Sequence, residues 1–113
     1  MSLKRVILEM GAGNDLHGGD YTKAALRAVQ NALHHSSLGF SRVLGLDIQA
    51  MQVEVTIGVT QPKAVDATRI RHSLPHGQVR VSVVPGGLDI PDPNTGDCAV
   101  IASAAITVRL DLP

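Results

Sequence analysis

Asp15 and His17 stand two residues apart in Gly11-Ala-Gly-Asn-Asp-Leu-His-Gly-Gly-Asp20, the stretch of this chain richest in residues that could do chemistry. An i, i+2 pair in an extended segment projects to one side. Imidazole is the side chain that titrates near neutrality without help. The pair therefore points to proton transfer, with His17 as general acid or base and Asp15 orienting its ring. Glycines at 11, 13, 18 and 19 let the backbone adopt positive φ and approach another group closely. The stretch ends at a helix start, where free amides and the helix dipole favour an anion or a carbonyl oxygen. The candidate ligand contacts are Gly11, Gly13, Asn14, Gly18, Gly19 and Tyr21. Phe40 and the Pro85-Gly-Gly loop are candidate walls. The competing reading is a plain strand-to-helix turn, with Asn14 and Asp15 making turn hydrogen bonds and His17 on the surface.

Other motifs are weaker. Gly11-Ala-Gly13 starts like a dinucleotide fingerprint, but Leu16 stands where the third glycine belongs, and Val59-Thr60 end the second strand without an acidic residue. His34 and His35 diverge by about 100° on a helix and cannot share a metal without other ligands. His72 and His76 flank a helix end, where a cation suits the dipole. Asp89, Asp92, Asn94 and Asp97 crowd one loop, but their spacing misses the EF-hand order and prolines interrupt it, so they read as turn formers. A divalent site could still be assembled from His17 and Asp15 with His72, His76 or Asp89. Cys98, the single cysteine, reads as a small buried hydrophobe.

The elements that would position these residues follow from periodicity. Residues 4–10 read as a short apolar strand running into a glycine loop over 11–19. Asp20 can cap a helix beginning at Tyr21, and Ala25, Ala28, Val29, Ala32 and Leu33 form one helical face that fades near His35. Residues 47–59 alternate, with Met51, Val53, Val55, Ile57 and Val59 on one side. Pro62 suits the first turn of a second helix that Pro75 stops. Residues 77–84 form a third strand, 85–97 a loop, and 98–110 a strand apolar on both parities, as expected of a central strand covered on both faces. The result is a single α+β domain over 1–113, ordered β-α-β-α-β-β, with a mixed four-stranded sheet and two helices on one face. That order resembles the Bacillus chorismate mutase-like fold of trimeric chorismate mutases and small imine deaminases. The resemblance implies homo-oligomers, with a trimer favoured.

Composition narrows the function classes. The 113 residues carry 10 Lys plus Arg against 10 Asp plus Glu, so no basic excess serves nucleic acid or a membrane surface. Tyr21 and Phe40 are the only aromatics, which leaves base stacking without material. With no membrane span, signal peptide or possible internal disulfide, the chain reads as cytoplasmic.

Gly11-Ala-Gly-Asn-Asp-Leu-His-Gly18 reads as G-x-G-x-D-x-H-G. It resembles the signature of a conserved hypothetical family of bacteria and plants named from a "lin" locus tag. The Asp20-Tyr-Thr-Lys-Ala-Ala helix start, the Leu74-Pro-His-Gly77 turn and the Pro85-Gly-Gly-Leu88 loop extend the resemblance over the whole chain. It implies that Gly11, Gly13, Asp15, His17 and Gly18 act as a unit, and it brings no activity or cofactor. The stretch Gly13 to Lys23 is more weakly similar to a turn and helix in ring-opening cyclic amide hydrolases. Their catalytic Ser-Lys pairs have no counterpart here, so that likeness implies architecture and three-fold assembly alone. The function expected is a small-molecule enzyme or binding protein with a site between subunits. A metal-binding protein and a non-catalytic oligomer are the alternatives.

Overall fold

The computed structural model describes residues 2–34, 50–74 and 77–112. In chain order the elements are β1 (Ser2–Asp15), α1 (Tyr21–His34), β2 (Gln52–Val59), a 3-10 turn (Pro62–Ala64), α2 (Ala67–His72), β3 (Gln78–Pro85), β4 (Leu88–Pro91) and β5 (Cys98–Leu112). The sheet is mixed, in the order β1-β5-β2-β3, with only the β2–β3 pair parallel. Among the described residues it has five strands where four are expected. The addition is β4, inside the segment read as a loop, and it pairs antiparallel with the start of β5. β1 occupies one edge of β5 from Ser2↔Leu112 to Asp15↔Val100. β2 therefore takes the other edge over residues 103–109, and β4 continues along that edge over 98–101. The sheet stays four positions wide, with β2 and β4 sharing one of them.

Strand β1 runs five residues further than its apolar run predicts, through Gly11, Gly13 and Asp15. The reason is packing. A Cβ on Gly11 would stand 2.5 Å from Ala32 N and 2.6 Å from Ala28 O, and one on Gly13 would strike the backbone at Ala24 and Ala28. These glycines form a smooth track beneath α1. The helix answers with Ala24, Ala25, Ala28, Val29 and Ala32, all buried. Small residues on both surfaces let a helix lie unusually close to a strand. In this stretch positive φ is confined to Gly18 (94°) and Gly19 (60°), where the chain turns into α1.

Asp20 caps α1, its carboxylate accepting from Lys23 N at 3.0 Å. The second helix is shorter than its sequence pattern: Pro62 opens a 3-10 turn, Val65 is extended, and Asp66 restarts the chain as the cap of α2 by accepting from Thr68 N and Arg69 N. Buried Thr22 of α1 ties this joint down, its hydroxyl accepting from Asp66 N at 2.9 Å. α2 packs against β3 and α1 and buries Ile70 in the common core.

β5 lies centrally, as its composition predicts, but only one of its faces is covered. Val100, Ala102, Ala104, Ile106, Val108 and Leu110 are buried beneath the helices, while Ile101 on the other parity is 41% exposed. Both helices sit on one face, so among the described residues the opposite face has no cover. The start of the second strand at 47–49, the end of the first helix near His35, Phe40, Pro75 and His76 lie outside the described residues. No described helix is long and apolar enough to cross a membrane.

Candidate functional site

One end of the sheet gathers the C-terminal ends of β1, β2 and β3, the N-terminal ends of α1 and β5, and strand β4. His17 sits here, but its partner is Asp97, eighty residues away, rather than Asp15. The ring Nδ1 lies 3.1 Å from Asp97 Oδ2. Asp97 is itself fixed, its Oδ1 accepting from Gly18 N at 2.7 Å and Cys98 N at 2.8 Å. Those two amides, Gly18 first, together with His17 hold the carboxyl below its ordinary value of 3.8. Asp97 is thus a fixed anion that locks the strand-to-helix turn to β5 and orients an imidazole. With the Nδ1 proton donated to Asp97, the lone pair falls on Nε2, the arrangement of a general base. His17 is 89% exposed.

Asp15 has a different job. It is 4% exposed, under the start of α1. Its Oδ2 accepts from Asp20 N at 2.9 Å, and its Oδ1 lies 3.6 Å from both Lys23 Nζ and Arg27 Nη1. Asp15 is a buried brace between strand and helix. Arg27 adds a second tie, donating to the Asn14 carbonyl at 2.7 Å. The amides of Gly18 and Asp20 are thus taken by Asp97 and Asp15. Tyr21 faces the helix side of β4. Its hydroxyl donates to Asp89 Oδ2 at 2.6 Å, and Thr60 Oγ1 donates to the same oxygen at 2.6 Å. The hydrogen bond to Asp89 raises the Tyr21 phenol above its ordinary value, and Thr60 opposes it. Asp89 Oδ1 is buried with no hydrogen-bond partner among the described residues.

A family model described as a conserved hypothetical protein (Lin0512_fam) matches residues 5–108. The chain belongs to this family. The Lin0512 chain is also similar to a solved structure, the crystal structure of an FtsZ-like protein of unknown function from Nostoc punctiforme. The two share 38% identity and a TM-score of 0.85, and the match covers 99% of each chain. No curated protein matches.

In this Lin0512 chain the sequence-derived candidates separate into three groups. His17 and Gly18 meet at Asp97, with Gly19 packed beside Cys98. Gly11, Gly13 and Asp15 belong to the strand–helix contact, and Tyr21 to the Thr60–Asp89 cluster. His17 borders an open groove of about 550 Å³ lined also by Leu16, Ile90, Pro91, Asp97, Cys98 and Ala99. Cys98 is half-buried on this wall rather than hidden in the core. Among the described residues, no three His, Cys, Asp or Glu side chains gather as metal ligands. Asp97 and Thr60 are the residues that sequence reasoning misses. Of the loop aspartates, Asp92 is the true turn former, accepting from Asn94 N at 2.9 Å. The residues after Pro91, Asp-Pro-Asn-Thr-Gly-Asp, form a hairpin turn between β4 and β5 that delivers Asp97 to His17.

Proposed function

We propose that this protein binds a small molecule in the groove beside His17 and that His17 exchanges a proton with it. The single observation that carries the reading is the His17 Nδ1–Asp97 Oδ2 contact at 3.1 Å, backed by two amides that hold Asp97 in place. An imidazole oriented by a fixed carboxylate and open at Nε2 is a proton-transfer pair. The groove's volume falls in the range of small-ligand sites, and its walls mix apolar Leu16, Ile90 and Ala99 with His17 and Asp97. A ligand with an apolar body and one acidic C–H or carbonyl oxygen suits that lining.

The test is a thermal-shift screen of the whole chain against carboxylates, carbonyl compounds and amides. Binding stabilises by RT ln(1 + [L]/Kd), which is about 2.7 kcal/mol at one hundred times Kd. A hit is then incubated in deuterium oxide and examined by NMR for exchange at its acidic position. The expected result is a shift and an exchange that both disappear in His17→Ala. A hit whose shift and exchange survive that substitution refutes the reading. Gly11, Gly13 and the satisfied turn amides favour a second reading, a non-catalytic oligomer, and a panel with no hit at millimolar ligand supports it.

A further inference from the structure

We infer that the uncovered face of the sheet docks against a second copy of this chain, and that the second copy roofs the His17 groove. The open face presents Leu8 and Met10 from β1, Ile101 from β5, Val84 from β3, and Leu88 and Ile90 from β4. These six are between 41% and 66% exposed. Together they leave on the order of 600 Å² of apolar surface, at the top of what a soluble monomer shows. A stable interface needs about 800 Å² from each partner, and the small residues between them, Ala12, Ser103 and Ala105, supply area of the same flat kind.

Three features favour a second copy as occupant. The register puts Met10 beside Ala105, Ala12 beside Ser103 and Leu88 beside Ile101, with no charged side chain among them. Two copies that meet over this end bring no like charges together and bury no unpaired charge there, so this part of the surface is self-complementary. The charged side chains of this face, Arg5, Glu54, Arg80, Arg109 and Asp111, stand toward the other end of the sheet, where Glu54 and Arg109 pair at 2.9 Å and Glu54 shares Thr107 as a neighbour with Leu8. Second, β5 is apolar on both parities, the composition of a strand covered twice, and the described residues cover it on one face. Third, the apolar end of the face runs into the groove: Ile90 belongs to both, and Leu16 beside His17 is 60% exposed. A copy seated there would close a groove that is open to water and strengthen the electrostatics of a proton-transfer pair. That last consequence rests on the proposed role of His17, whereas the interface does not.

The experiment is sedimentation velocity on the full chain between about 1 and 100 μM, with far-UV circular dichroism to check folding. Wild-type protein is expected at two or more times 11.9 kDa. Met10→Lys and Ile101→Lys shift it to the monomer mass, and Gln30→Lys on the exposed side of α1 leaves the mass unchanged. If either strand variant unfolds, Leu88→Lys on short, peripheral β4 replaces it. Carbethoxylation of His17, read by mass spectrometry, is expected to be at least tenfold slower in wild type than in the monomeric variant. A wild-type monomer at 100 μM, or variants that keep the wild-type mass, overturns the interface. Equal His17 labelling in monomer and oligomer overturns the roof. An oligomer that dissociates as expected but shows no ligand response sinks the proton-transfer reading and leaves the interface standing.

Discussion

Gly13→Ala decides whether the glycines of the Gly11–Gly19 stretch serve a ligand or the fold. The new Cβ would stand 2.5 Å from Ala24 O, and ordinary contact begins near 3.4 Å. The obstacle is helix backbone on a covered face, so no side chain can turn aside. Ala28 N lies closer still, so either α1 lifts by about 1 Å or β1 sinks by as much. A gap of that size forfeits a quarter to a half of the dispersion energy at each contact it opens, and the contacts at risk include fully buried Ala25, Val29 and Ala32. Overpacking of this kind costs about 1–3 kcal/mol. For 113 residues, with an unfolding entropy of about 2.1 cal/mol/K per residue, each kcal/mol lowers Tm by about 4 °C. The expected fall is therefore about 4–12 °C by scanning calorimetry, and any ligand response persists at temperatures where the variant is folded. Gln30→Ala, on the exposed side of α1, is expected to change stability by no more than about 0.5 kcal/mol. If Gly13→Ala keeps the wild-type Tm and abolishes ligand binding, the packing account is wrong.

Three further outcomes follow from the geometry. Asp15→Ala leaves Asp20 N without its acceptor and Lys23 and Arg27 without their anion, a loss of about 1–3 kcal/mol in urea unfolding, whereas His17→Ala stays within about 0.5 kcal/mol; equal effects would contradict the division between brace and chemistry. Tyr21→Phe removes one of the two donors to Asp89 Oδ2 and is expected to cost about 1 kcal/mol with an unchanged m-value; no loss would mean the cluster contributes nothing. The Asp97 carboxyl is depressed in the folded state, so its charge stabilises the fold above the unfolded value of 3.8 and that contribution fades as pH falls through the lower folded value; the Tm gap between wild type and Asp97→Asn is expected to be constant from pH 5 to 7 and to close below 3.8, and a gap that widens in acid would refute the linkage.

The fold was legible where one period dominates. Met51 to Val59 alternate because one face of β2 is buried, and the alanine stripe of α1 repeats because one side of the helix meets the sheet. Where composition and period conflict, glycine misleads. Gly11 and Gly13 read as loop because glycine is a poor strand former. Their i, i+2 spacing in fact places both on the strand face that α1 covers, opposite an alanine-rich helix. That match of a glycine track to an alanine stripe is visible in the sequence, and it argues for close strand–helix approach before it argues for a ligand. β4 is short, and only Leu88 and Ile90 alternate, too little to stand against the prolines and glycines around them.

The site was legible in part for a different reason. His17 can be picked out by chemistry alone, and its orienting group cannot. An i, i+2 carboxylate is the natural partner only while the segment is taken as a free loop. Once Asp15 is the last residue of a strand covered by α1, alternation turns it inward to Asp20, Lys23 and Arg27. Leu16 then turns outward, and His17 lies past the strand's end, free to face what β5 brings. What β5 brings depends on a pairing register across eighty-five residues, Asp15↔Val100, which places Asp97 three residues beyond the last rung. No local pattern encodes that distance. It is fixed by the length of two long antiparallel strands and by the hairpin turn that lets Asp97 accept from Gly18 and Cys98 at once. The same reasoning states what a change in strand register would do. A slip by one residue turns every inward side chain outward, moves Gly13 from beneath α1 and carries Asp97 away from His17. Packing and chemistry therefore rest on one register, and a substitution that loosens the glycine track is expected to loosen His17 as well.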